Sequence, residues 1–334
     1  MRYEISLKSI QALPSHFMKP IQGIVPVILL LIGMIQACAP DVKITPVAFT
    51  PNETTVSLPG LPESATPLRI ILVPHGTFLM GSPMEERGRW GDGEWVSHPV
   101  TITRDYYLGK YEVTQAQWEA VMGENPSYFK DHPNHPVEEV SWSDCLVFCN
   151  RLSEKTGLQP VYDEANGHAD WNANGFRLPT EAEWEYACRS GTTTRYSYGD
   201  ALDSGDECQS SEEHARFMWW CGNNDPEGTK PIGQKLPNPW GFYDMHGNVW
   251  EWCFDGWELP YGRGPQVDPR GKNGTPFKVL RGGGWFVIAA VCRSANRGWD
   301  GPYYKDHVLG LRICRTKWEA DILSASNPEG IERE

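Results

Sequence analysis

"NPWGFYDMHGNVWEWC", residues 238–253, sets two carboxylates, Asp244 and Glu251, on either side of a Gly-Asn turn and runs into a Trp-rich, strand-like segment that ends at Cys253. The Gly247-Asn248 pair marks a tight turn. Its flanking carboxylates either cap backbone amides or present hard oxygens to a cation. The apolar stretches around it are short, as they are throughout the chain, where 33 Gly, 27 Pro and 15 Trp in 334 residues separate brief segments by long connections. That pattern predicts an irregular α+β domain, because a Rossmann or barrel fold would show regular alternation of strands and helices.

Three helices are signalled by capping boxes, in which a Ser or Thr caps the first turn and a side chain three residues on returns the bond. Thr114 with Gln117 opens a helix that stops at Gly123, Ser141 with Asp144 opens one ended by Gly157, and Thr180 with Glu183 opens a third ended near Gly191. Leu68–Ser82 (LRIILVPHGTFLMGS) reads as a hairpin-like entry to the fold.

Residues 24–35 (IVPVILLLIGMI) form an apolar run too short to span a bilayer and suited to a signal h-region. "IQAC" follows and resembles a lipobox, with Cys38 as the lipid-bearing residue and translation starting at Met1 or Met18. The expected organisation is a lipoprotein signal over 1–37, a Pro/Thr-rich tether over 38–66, one domain over 67–316 and a polar tail over 317–334. This places the protein outside the cytoplasm on a membrane anchor. Ala39 after Cys38 carries no acidic retention signal, which favours the outer membrane. The net charge is −13 and becomes −15 without residues 1–37, which carry Arg2, Lys8 and Lys19 against Glu4, so nucleic acid is an unsuitable partner.

Nine cysteines less Cys38 leave eight, an even number that suits disulfides in an oxidising compartment. Cys208 and Cys221 bracket a loop that they would staple. No CxxC pair is present, which argues against a zinc ribbon or a thioredoxin-type site. His132 and His135 lie in a proline-broken loop and read as solvated, not as metal ligands. Trp219, Trp220, Trp250, Trp252 and Trp285 either fill the core, the commoner use, or line a groove for a protein or carbohydrate ligand. No nucleophile elbow occurs, so a Ser/His/Asp hydrolase has no support.

Seven blocks in order, "GTFLMGS", "YEVTQAQWEAVMG", "PVEEVSWSDCLVFCNRLS", "FRLPTEAEWEYACRSG", "NPWGFYDMHGNVWEWC", "VLRGGGW" and "GLRICRT", resemble the formylglycine-generating enzyme (sulfatase-modifying factor) family from about Leu68 to Thr316. The resemblance implies a C-type-lectin-like α+β fold with little regular secondary structure. It implies a structural calcium ion held by the side chains of Asp244 and Glu251 and the carbonyls of Gly247 and Val249. A second calcium site of the family has no counterpart in "WWCGNNDPEGTKPIG", and the iron-binding His-x-x-x-His-x-Glu motif of another subgroup is missing.

The family's enzyme oxidises a sulfatase cysteine to formylglycine with oxygen and copper(I), and two soft thiolates hold the metal. Matching the family's Gly-Gly-Ser turn to Gly282, Gly283 and Gly284 puts the two thiolate positions at Val287 and Cys292. One thiolate and the serine are therefore missing, and Cys292 remains as a catalytic remnant. Copper chemistry is not expected, and the function implied is a ligand-binding or accessory one, with a divergent formylglycine-generating oxidase as the alternative. The resemblance places Cys253 beside the glycine strand, which makes it the favoured disulfide mate of Cys292; a relocated copper site at the same two thiols is the sharper alternative. The family's own disulfides are half present: Cys149 and Cys188 match first members, while Ile313 and Arg297 stand where the partners would be.

Overall fold

The three capping boxes form as spelled. In a computed structural model, which describes residues 49–318 apart from 95, 131, 202–207, 260–263 and 273, Thr114, Ser141 and Thr180 each accept the backbone N–H three residues on and receive the reciprocal bond from Gln117, Asp144 and Glu183. They open α1 (Gln115–Met122), α2 (Trp142–Lys155) and α3 (Glu181–Arg189). Gly123 ends α1 at φ 88°, a left-handed conformation that spares glycine a Cβ clash. A fourth helix, α4 (Glu212–Phe217), starts at Ser211 and has no signature beyond that single cap.

The strands are short: β1 (Glu53–Val56), β2 (Leu68–Val73), β3 (Gly76–Met80), β4 (His98–Ile102), β5 (Tyr106–Gly109), β6 (Tyr162–Asp163), β7 (His168–Ala169), β8 (Trp250–Gly256), β9 (Gln266–Val267), β10 (Lys278–Arg281), β11 (Gly298–Asp300), β12 (Leu309–Gly310) and β13 (Cys314–Thr316). They assemble in the orders β1-β2-β5-β13, β11-β10-β8-β12 and β3-β4-β9, with β6 and β7 paired alone. All described residues lie within one unit, 44–334.

Two sequence expectations need correction. β2 and β3 do not form a hairpin, because β2 pairs with β1 and β5 while β3 pairs with β4. The segment read as tether also enters the domain before residue 67. β1 adds antiparallel to β2, Glu53 forms ion pairs with Arg69 and Lys110, and Leu58 and Ala65 are buried. The signal segment, Cys38 and most of the polar tail lie outside the described residues. Among those described, no helix is long and apolar enough to cross a membrane.

So little regular structure leaves many loop carbonyls buried, and each must find a donor. Arginines supply them. Arg281 donates to the Ser294 and Asn296 carbonyls, Arg312 to Gly109 and Tyr243, Arg189 to Gly81 and Thr194, and Arg293 to Gly88 and Ala290. Every one of these buried guanidinium groups is balanced by a buried carboxylate. Glu181 takes Arg281 and Arg297, Glu185 takes Arg189 and Arg281, Glu251 takes Arg312, and Glu94 with Glu86 takes Arg293. Removing one partner strands the other as an uncompensated buried charge. Arg281→Met should therefore destabilise the fold by about 3–5 kcal/mol in urea denaturation, with Glu181 and Glu185 left facing each other; a loss under about 1 kcal/mol would show that Arg189 and Arg297 suffice to balance them.

Candidate functional site

The turn that opened the sequence reading is built on left-handed residues: Asp244 at φ 56°, Gly247 at 80° and Asn248 at 60°. A Cβ on Gly247 would lie 2.0 Å from the Trp219 carbonyl oxygen, so only glycine fits. Asn248 pins the turn by accepting the Lys230 N–H at 3.0 Å and donating to Glu112 Oε2 at 3.1 Å. Glu251 accepts from the Trp184 indole at 2.7 Å and pairs with Arg312. Asp244 Oδ2 takes the Gly233 N–H at 2.7 Å, but its Oδ1 is buried with no protein partner, and so is Glu112 Oε1.

Glu112 is the residue that sequence reasoning missed. It sits just before the first capping box, an acidic residue with no local partner, and only the fold brings it to Asp244. Burial pushes Asp244 up to about 6, and the Glu251 charge adds to that; burial, followed by the charges of Asp244 and Glu251, raises Glu112 well above the usual carboxylate range. Three fully buried carboxylates face one buried guanidinium, a net charge of −2 when all are ionised. The half-buried Lys235 ammonium offsets part of this at Asp244. Among the described residues no three His, Cys, Asp or Glu side chains are spaced to hold one metal ion, so a cation here would need backbone carbonyls as well.

The favoured Cys253–Cys292 disulfide is absent. Cys253 and Cys292 are both free and buried, as are Cys145, Cys149, Cys188 and Cys314. The reason is packing: Cys253 belongs to the cluster with Trp184, Val279 and Ile71, whereas Cys292 packs with Tyr196, Trp220 and Ala289. A relocated copper site would need the same two sulfurs side by side, and they belong to different clusters. Cys208 and Cys221 do form a disulfide. Cys292 lies so close beneath the glycine turn that a Cβ on Gly283 would sit 2.6 Å from its Sγ. Its thiol reaches toward the Ile288 carbonyl at 3.9 Å, and burial pushes its pKa up to about 12 despite the Gly284 and Gly247 amides that face it. Val287 is part-buried against the same cluster. Cys292 thus serves as packing beneath the turn. His246, inside the same loop, donates from Nδ1 to the Cys292 carbonyl at 2.7 Å while Nε2 accepts the Ser197 N–H, and burial lowers its pKa to about 4.

Beside this segment opens a groove of about 710 Å³, lined by Trp90, Trp250, Trp299, Ile288, Val291 and Arg87 among others. Trp90, Trp299 and Ile288 are 54%, 40% and 38% exposed, unusual for large apolar side chains. Of the tryptophans singled out in the sequence, Trp250 reaches the groove, whereas Trp220, Trp252 and Trp285 are buried in the core. One wall is tied in place by Glu94, which takes the Trp90 N–H and Arg293, while Arg293 also grips the Gly88 carbonyl. The opposite wall is the stretch between the two positions where the resemblance puts the thiolates.

The family profile described as "Sulfatase-modifying factor enzyme 1-like domain" matches residues 59–317. The chain belongs to that family. Its fold is the family's α+β arrangement with sparse regular structure: superposition on Treponema denticola variable protein 1 gives a TM-score of 0.67 at 29% identity over 80% of this chain and 100% of that one. PvdO from Pseudomonas aeruginosa gives 0.63 at 25% identity over 79% and 99%. The chain is 34% identical to "Chaperone protein LppX" of Paenibacillus barcinonensis over 249 residues, 65% of this chain and 82% of that protein. It is 35% identical to the formylglycine-generating enzyme of Streptomyces coelicolor over 224 residues, 65% of this chain and 63% of that enzyme. The chain is thus similar both to a protein named a formylglycine-generating enzyme and to one named a chaperone, and function has to be argued from the site.

Burial lifts every free thiol among the described residues above the ordinary cysteine range. At pH 8 the native protein should therefore leave Cys145, Cys149, Cys188, Cys253, Cys292 and Cys314 unalkylated by iodoacetamide. All six should react in denaturant, and Cys208 and Cys221 only after reduction, as peptide mapping would read out. Native labelling of Cys292 would contradict a packed, neutral thiol.

Proposed function

We propose that this protein is an extracytoplasmic, membrane-anchored member of the family that receives a polypeptide in the tryptophan groove, in an accessory, chaperone-like role without copper oxidation. The observation that carries the reading is the pairing of a disabled thiolate site with an open groove. Val287 offers no sulfur and Cys292 is neutral and sealed, yet the apolar walls beside them are exposed and held rigid. Two soft ligands are needed to bind copper(I). Exposed indole faces suit side chains of many shapes, which fits a client polypeptide better than a single small substrate. The likeness to a named chaperone supports this direction, and the apolar run over 24–35 that precedes Cys38 supports the anchor.

The same scaffold would hold calcium at the Asp244 turn. The orphaned Asp244 Oδ1, the buried net negative charge and the turn's carbonyls form the hard-oxygen environment that calcium prefers. Asp244 and Glu251, with the Gly247 and Val249 carbonyls, would hold the ion, and Glu112 would add charge. The ion's part would be structural, locking the turn that supports one end of β8.

Three outcomes are expected. Supplied with copper(I) and a Cys-x-Pro-x-Arg peptide, the protein should consume oxygen no faster than a protein-free blank; turnover would restore the oxidase reading. It should suppress aggregation of a chemically unfolded client, and Trp90→Ala with Trp299→Ala should abolish most of that effect while leaving Tm within about 2 °C, since exposed substitutions rarely change stability much. Unchanged suppression would remove the groove from the role. Calcium at saturating concentration should raise Tm of the chelator-treated protein by about 5–10 °C, a shift lost in Asp244→Ala and reduced in Glu112→Gln; a Tm indifferent to calcium would mean that protons alone neutralise the cluster.

A further inference from the structure

A second cavity, of about 260 Å³, lies away from the tryptophan groove between the start of α2, the turn after β6 and the approach to β10, and is lined by Trp142, Ser143, Glu164, Asn166, Lys278 and Tyr303 among others. Lys278 is its unusual member. The residue is only 6% exposed, and its ammonium sits 4.0 Å above the Trp142 ring and 5.8 Å from that of Phe254. Among the described residues its ammonium has no hydrogen-bond or ion-pair partner, while every buried arginine of the fold described above has a carboxylate. Burial pulls its pKa below that of an ordinary lysine, with Asp255 opposing. A ring face attracts a cation but accepts none of its three N–H bonds in the way an oxygen does. A largely buried ammonium that lines a cavity and has no fixed acceptor among the described residues is suited to meet an anion there.

The rest of the lining narrows that anion. Ser143 also lines the cavity and its hydroxyl has no partner among the described residues, so it can meet the second oxygen of a carboxylate. Glu164 is exposed at the rim, where its Oε1 takes the Asn150 amide at 3.0 Å. A second negative charge on the ligand would be repelled there, whereas a hydroxyl could donate to Glu164. Tyr303 is 80% exposed and offers a free aromatic face. The cavity is below the roughly 300–1,000 Å³ of ordinary ligand pockets, which limits the occupant to one small ring.

We infer that the Lys278 cavity is a binding site for a small hydroxylated monocarboxylate of the hexuronate type, its carboxylate on Lys278 and Ser143 and its hydroxyls toward Glu164 and Asn166. The site is independent of the groove and of the role proposed for it.

The test is titration calorimetry of the whole protein with glucuronate, glucose and acetate, paired with mass-spectrometric mapping of lysine acetylation. Glucuronate should bind and selectively protect Lys278 from acetylation. Acetate, which keeps only the carboxylate, should bind about tenfold more weakly or worse, and glucose should not bind. Lys278→Met, whose side chain can lie on the Trp142 ring, should weaken glucuronate by about tenfold or more, with its near-ultraviolet circular dichroism unchanged to show that it folds. Ser143→Ala gives a second reading should Lys278→Met misfold, and should weaken glucuronate while leaving acetylation of Lys278 in the free protein unaltered. No glucuronate binding, binding of glucose equal to that of glucuronate, or glucuronate affinity indifferent to both substitutions would overturn the inference.

Discussion

A fold with this little helix and sheet depends on getting its loop carbonyls bonded away from water, and the buried arginines carry that load. Each guanidinium ties together two or three segments, and each needs a carboxylate to make its burial tolerable. α3 is the source of three of those carboxylates. Its first turns place Glu181, Glu183 and Glu185 against Arg281 with Arg297, Arg177, and Arg189 with Arg281 respectively. A nine-residue helix thereby fixes β10, the segment that follows Cys292 and the start of β3's outgoing loop, which also explains why all nine of its residues are buried.

The same constraint shapes the groove. Arg293 follows Cys292 directly, so the position that resembles a catalytic thiolate is anchored on one side by Gly283 and on the other by a guanidinium clamped to Glu94 and Glu86. The charges that hold this wall lie outside positions 287 and 292. In this chain the concave surface persists with valine at one of those two positions.

What was legible in the sequence was local. The capping boxes need only residues three apart, and the Gly-Asn turn with its carboxylates is written in one stretch of chain. The remainder depends on partners far along the sequence. β1 is exposed on most of its residues and shows no apolar alternation, so it resembles the tether before it. Leu68–Ser82 contains two true strands, but each pairs with a segment further along. Glu112 and Asp244 are separated by more than a hundred positions, and no local pattern marks Glu112 as a member of the cluster. Trp90 sits in a charged, glycine-rich loop and Trp299 in the three-residue β11, where an aromatic residue signals nothing until the fold shows it exposed.

β10 shows how differently one fold can treat two buried cations. All four of its residues are buried, and its side chains alternate between two faces. Leu280 packs into the cluster that includes α2's Trp142, whereas Val279 belongs to the α3 side, where Arg281 finds Glu181 and Glu185. Lys278 shares the α2 face, where its ammonium lies over the Trp142 ring and near that of Phe254. Arg281 is satisfied internally because it bridges loops, and a bridge must be complete for the domain to fold. Lys278 bridges nothing, so its missing acceptor is not a demand of folding, and the cavity in front of it makes that acceptor a matter of what the protein binds.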